Sequence, residues 1–197
     1  MCFDACVAPV EPLSWIDWLG NGAGLLCVWL VVRQKVASWP VGILNNALYL
    51  VLFWEGGLYA DALLQVVYVG IALYGWWMWL YGGEARTELG VSRATGLHLG
   101  LTSVGVVFGT LGLAKLLSVY TDSTVPGWDG WTTALSLGAT WMQSRKYLES
   151  WVLWIVADLF YIGLYWYKDL HLTSVVYAVF LLMCIRGYRD WRAACAA

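Results

Sequence analysis

Apolar residues fall in seven long runs separated by short polar punctuation, at roughly 14–32, 39–55, 58–81, 94–117, 127–144, 151–167 and 170–188. An α-helix needs roughly 20 such residues to cross a hydrocarbon core about 30 Å thick. Lys168 and Asp169 are nearly all that joins the sixth run to the seventh, and Glu55, Gly56 and Gly57 join the second to the third. Linkers so short force the helices they join to be antiparallel neighbours. The pattern predicts an all-α membrane protein with seven transmembrane helices in one transmembrane domain, residues 1–197.

The sixth run adds a stripe of different character. Trp151, Trp154 and Asp158 are spaced by three and four residues, so they share one helix face. A carboxylate at that depth is costly unless it faces protein or a water-filled cavity. The same stretch recurs 112 positions earlier, where Trp39, Ser38 and Arg33 stand in register with Trp151, Ser150 and Arg145. The register continues through Ile43/Ile155, Tyr49/Tyr161, Leu52/Leu164, Trp54/Trp166, Leu58/Leu170, Gly75/Gly187 and Trp79/Trp191, with Asn46 opposite Asp158. The chain therefore reads as two three-helix repeats, about 14–81 and 127–191, joined by a linker helix at about 94–117. Because one span intervenes, the copies run in the same direction, as in small transporters whose halves enclose a substrate site. The fourth run, poor in aromatics and containing Gly96, Gly100, Gly105, Gly109 and Gly112, suits a linker.

Composition places the chain in lipid. Hydrophobic residues make up 61%, charged residues 12%, and the mean hydropathy is +0.66, against roughly 25% charged in soluble domains. The 15 tryptophans and 12 tyrosines fit interfacial aromatic belts. With the N-terminus outside, Arg33, Lys35, Arg86, Arg93, Arg145, Lys146, Arg186, Arg189 and Arg192 lie inside, and only Lys115 and Lys168 lie outside. That bias predicts an outer N-terminus and a cytoplasmic C-terminus. The acidic start (Asp4, Glu11, Asp17) lacks the basic flank and cleavage site of a signal peptide, which predicts an uncleaved end. The net charge of −2 gives no reason to expect a nucleic-acid partner. Cys27 and Cys184 sit in apolar runs as small hydrophobes. Cys2 and Cys6 lack a second ligand pair for zinc, so neither metal nor cofactor is expected.

No catalytic constellation is present. His98 and His171 lie near span ends, and the absence of a Walker loop argues against ATP hydrolysis. The intramembrane polar set is Asn45, Asn46, Gln65, Thr140, Gln143 and Asp158. Any one of these alone reads as a hydrogen bond between helices. As a set they sit among aromatics: Asn46 near Trp39 and Tyr49, Gln65 near Tyr68, and Asp158 near Trp151, Trp154 and Tyr161. Aromatic faces with a few oriented polar groups suit a small heteroaromatic metabolite, whereas an ion channel would present carbonyl or carboxylate rings.

From about Val28 to Trp191 the chain resembles the PnuC family of bacterial vitamin transporters. The resemblance rests on the runs WPVGILNNALYLVLFWEGGLYADALLQVVY, YGWWMW, WDGWTTALSLGATWMQSRKYLESWVLWIVADLFYIGLYWYKDLHLTSVVYAVF and GYRDW. It implies a seven-helix bundle of parallel repeats in the inner membrane, commonly a homotrimer. Transport is then facilitated diffusion of an unphosphorylated vitamin precursor, drawn inward by cytoplasmic phosphorylation. Nicotinamide riboside is the best-known substrate, and relatives carry thiamine, riboflavin or deoxynucleosides. The family's WxxW motif is matched by Trp151 and Trp154, and its YADxxLQ motif by Tyr59, Ala60, Asp61, Leu64 and Gln65. Ala72 and Thr140 stand where nicotinamide riboside carriers tend to have amides. Tryptophan faces beside Asp158 favour a cationic ring, so nicotinamide riboside comes first, thiamine second and riboflavin third. The expected binding residues are Trp39, Asn46, Gln65, Tyr68, Thr140, Gln143, Trp151, Trp154, Asp158 and Tyr161. The expected partners are the vitamin and membrane lipid. A reading of a different class is a membrane receptor or scaffold that does not transport.

Overall fold

The computed structural model describes residues 15–57, 59–121, 125–167 and 169–196. Among the described residues are seven α-helices: α1 (Trp15–Val32), α2 (Ser38–Glu55), α3 (Tyr59–Tyr81), α4 (Gly96–Tyr120), α5 (Pro126–Ser144), α6 (Ser150–Tyr167) and α7 (His171–Ala196). Cys2, Cys6, Asp4, Glu11 and Lys168 lie outside the described residues. The boundaries follow the apolar runs closely except at the end of α7, which continues past residue 188 to Ala196. Charge does not stop this helix: Arg186 pairs with Asp190 one turn on, at 3.4 Å, and Trp191 is fully buried.

By length and composition α3, α4, α6 and α7 are apolar enough to cross a membrane, four helices where the sequence pattern predicts seven. The shortfall at α2 and α5 comes from interior polar residues, among them Asn45, Asn46, Thr132, Ser136, Thr140 and Gln143, all buried. The described apolar part of α1, Gly22–Val32, is shorter. Outward-facing side chains are as apolar as the interior: Leu63, Phe108 and Leu182 are 62%, 69% and 67% exposed. Such a surface is matched to lipid tails rather than to water.

The chain divides into two compact units, Met1–Gly90 and Val91–Ala197. In the first, α1 packs on α2 and α2 on α3; in the second, α4 packs on α5, α5 on α6 and α6 on α7. The expected linker helix α4 therefore belongs to the second unit. Val106 is buried there, while most of α4 faces outward.

Each unit turns its chain in the same way. Gln34, after α1, and Lys146, after α5, both take left-handed backbone angles, φ 53° and 51°. Around them the hydrogen bonds repeat at the same offset. Lys35 N donates to Leu30 O at 2.8 Å and Tyr147 N to Met142 O at 3.1 Å; Ser38 N donates to Lys35 O at 3.0 Å and Ser150 N to Tyr147 O at 3.1 Å. The next hairpins agree as well, with Gly57 at φ 75° and Asp169 at φ 57°, donating to Trp54 O and Trp166 O at 3.2 Å each. The buried face repeats too. α3 buries Ala62, Gln65, Tyr68, Ala72, Gly75 and Trp79, and α7 buries Ser174, Tyr177, Phe180, Cys184, Gly187 and Trp191, position for position.

Candidate functional site

All ten expected binding residues are buried, from 0% exposed at Trp151, Trp154, Asp158 and Thr140 to 5% at Tyr161 and Gln143. In the first unit Trp39 and Asn46 lie on α2 and Gln65 and Tyr68 on α3, helices packed on each other. In the second, Thr140 and Gln143 lie on α5, and Trp151, Trp154, Asp158 and Tyr161 on α6. The stripe deduced from spacing is real: α6 buries Ser150, Trp151, Trp154, Ala157, Asp158, Tyr161, Leu164 and Tyr165 along one face.

Within the second unit the aromatic set is continuous. Tyr161 stacks on Tyr165 (5.9 Å, 14° between planes), and Tyr177 of α7 lies 4.7 Å from the first ring and 5.1 Å from the second. The Tyr161 hydroxyl is 3.4 Å from Ser136 Oγ, which ties α6 to α5. Thr140 donates its hydroxyl to Ser136 O at 2.7 Å, so its proton is engaged within its own helix. The Cys184 thiol lies against the Asp158 carboxyl, so a group on α7 faces the acid from across the α6–α7 contact.

Four further residues belong with this set, and spacing alone gave them no role. In the first unit the ring of Trp39 fills the space beside Gly75 and meets Trp79 edge to face at 5.3 Å and 87°. In the second, Trp151 does the same beside Gly187 and against Trp191, at 5.3 Å and 88°. A Cβ on Gly187 would lie within 2.7 Å of three ring atoms of Trp151, so only glycine admits the ring there. The repeat register carried the signal, since both glycines and both outer tryptophans recur in it.

Several buried polar atoms lack a hydrogen-bond partner: Trp39 Nε1, Ser38 Oγ, both amide atoms of Asn45 and Asn46 Nδ2 in the first unit, and Trp151 Nε1 and Ser150 Oγ in the second. Such a group costs about 1–3 kcal/mol when left unsatisfied, so clusters of them mark places built for something other than packing. The histidines are peripheral. His98 Nδ1 is 2.8 Å from Thr95 Oγ1 at the start of α4, and His171 packs on Trp166 at 4.7 Å. A groove of about 340 Å³ opens among α4, α5 and α6, walled by residues such as Val106, Leu135, Met142 and Leu153. None of the ten expected residues lines it.

Residues 14–193 match the family described as "Nicotinamide mononucleotide transporter". The nicotinamide riboside transporter PnuC of Escherichia coli is 26% identical over 204 residues, covering 91% of this chain and 85% of that protein. The riboflavin/roseoflavin transporter RibM of Streptomyces davaonensis is 30% identical over 189 residues, covering 92% and 86%. A crystal structure of the vitamin B3 transporter PnuC superposes with a TM-score of 0.69 at 28% identity, covering 93% of this chain and 83% of that one. Exposed apolar helices and these relatives together make the chain a multi-pass membrane protein. Its all-helical fold, its buried aromatic and amide residues and its match across nearly the whole chain place it in the nicotinamide mononucleotide transporter family, the PnuC family of vitamin transporters.

Proposed function

We propose that the protein carries nicotinamide riboside across the bacterial inner membrane by facilitated diffusion, with Trp39, Asn46, Gln65, Tyr68, Thr140, Gln143, Trp151, Trp154, Asp158 and Tyr161 as its binding residues. The observation that carries this is the burial of polar amides and an acid among tryptophan and tyrosine rings, in a chain related to a nicotinamide riboside transporter. It takes part in no chemical reaction of its own; inward flow follows consumption of the vitamin inside. Among the described residues Asp158 is the one buried acid, which favours transport without proton or sodium coupling.

The architecture that accompanies this reading is two parallel three-helix repeats, α1–α3 and α5–α7, with α4 as the added helix. The matching turns at Gln34 and Lys146 and the matching buried faces of α3 and α7 support it. The N-terminus is outside and the C-terminus cytoplasmic, by the nine-to-two bias of basic residues. The assembly is a homotrimer, by family resemblance.

Riboflavin is the second reading, favoured by the 30% identity to RibM, and thiamine the third, favoured by Ala72 and Thr140, where amides suited to sugar hydroxyls are missing. Purified protein in liposomes decides the matter. Saturable uptake of labelled nicotinamide riboside supports the first reading, and saturable uptake of riboflavin alone supports the second. Binding without uptake of either would make the protein a receptor and end the carrier reading.

A further inference from the structure

The groove among α4, α5 and α6 lies wholly within the second unit and opens outward. Its floor is Val106, Leu135 and Met142, all buried, and its rim is Leu99, Val107 and Val152, all exposed. From Leu99 to Val107 the α4 wall runs roughly 12 Å at about 1.5 Å per residue, close to the depth of one leaflet of a hydrocarbon core about 30 Å thick. Beside the groove α4 exposes Leu101 and Phe108, so lipid tails are the solvent at its mouth. One end differs. Glu149 lines it and accepts a hydrogen bond from Ala94 N at 2.8 Å, which laces the segment before α4 to the turn between α5 and α6. Ser92 N donates to Lys146 O at 3.1 Å, and Leu148 N donates to Ser92 O at 2.9 Å. The lacing gathers cations. Arg93 is exposed between Ser92 and Ala94, and the Arg145 guanidinium lies 5.9 Å from the Tyr147 ring, which His98 of α4 approaches to 5.2 Å. Two arginines stand against one carboxylate, and one oxygen of that carboxylate already holds an N–H. An apolar trough one leaflet deep therefore ends at a positively charged turn.

We propose that this groove holds one anionic phospholipid, an acyl chain along the Leu99–Val107 wall and its phosphate at Arg93 and Arg145. Basic pockets between membrane helices favour anionic headgroups, and the apolar floor gains by taking up a tail. The site is separate from the ten expected vitamin-binding residues, none of which lines it, and does not depend on the carrier reading. α4 and α6 each pack on α5, and the bound chain bridges them across the groove. The lipid thus fastens the outward-facing α4 to the rest of its unit.

The test uses full-length protein in detergent, stripped of lipid and titrated with phosphatidylglycerol, phosphatidylethanolamine or phosphatidylcholine of identical chains. Native mass spectrometry should show one phosphatidylglycerol held more tightly than either zwitterionic lipid. Replacing both arginines, Arg93→Gln with Arg145→Gln, should weaken its affinity about fivefold or more. Val152→Trp, which fills the groove from its rim, should abolish the tight site. A phosphatidylglycerol carrying a diazirine in its acyl chain locates the site in the unaltered protein, whatever the folding of the variants. Its adducts should concentrate at residues 99–107 and 149–153. Adducts spread evenly over the exposed helices, equal retention of the three lipids, or unchanged affinity in both variants would make the lipid an unselective coat and overturn the proposal. So would an assembly of several copies that shields residues 99–107 from the probe and that Val152→Trp breaks apart, since a second copy would then fill the groove.

Discussion

The indole of Trp151 stands edge to face with that of Trp191, ring centroids 5.3 Å apart at 88°, and beside it Gly187 leaves no room for a Cβ. Two helices are therefore held by one large ring seated on a bare backbone. Replacing Gly187 by alanine is expected to destabilise the protein by about 1–3 kcal/mol through overpacking, seen as a lower melting temperature in detergent. Adding Trp151→Phe should recover much of the loss, since the smaller ring yields space. An unchanged melting temperature for Gly187→Ala would show that the socket is looser than described.

Trp151→Ala and Trp154→Ala are each expected to weaken vitamin binding about tenfold or more, a loss of about 1.4 kcal/mol or more. Gly105→Ala is the contrasting variant. It lies on outward-facing α4, with no atom within 4 Å of an added Cβ, and should bind as the parent does. Calorimetric titration compares the three, and equal affinity throughout would move the site away from α6.

Uptake into liposomes should persist when ionophores collapse the proton and sodium gradients. Loss of transport on collapse would instead make Asp158 part of a coupled cycle.

Cys195, near the end of α7, is partly exposed, while Cys27 and Cys184 are buried. In a background with Cys2 and Cys6 replaced by serine, a membrane-impermeant maleimide should leave intact cells unlabelled and label Cys195 after permeabilisation. Labelling of intact cells would place the C-terminus outside.

Element existence was legible from the sequence because each helix coincides with an apolar run bounded by glycine, charge or both. The end of α7 was not, since hydropathy falls at Arg186 while the helix is carried on by the burial of Gly187 and Trp191. The Trp151–Trp154–Asp158 stripe was legible because helical spacing fixes which residues share a face. The partners of that stripe were hidden in the facing helix. Nothing local to Gly75 or Gly187 announces a tryptophan neighbour, and only the packing of α2 on α3 and of α6 on α7 reveals it.

Each socket closes with residues of its own unit, so neither copy relies on the other to keep it. The interior positions between the fixed points differ: Asn46 stands opposite Asp158, Gly42 opposite Trp154, Gln65 opposite Tyr177 and Ala72 opposite Cys184, all buried at matching positions. The two units therefore share a skeleton of turns and buried positions while differing in the chemistry of the side chains between its fixed points. The glycine-seated rings are thus the part of the interior that both units keep alike.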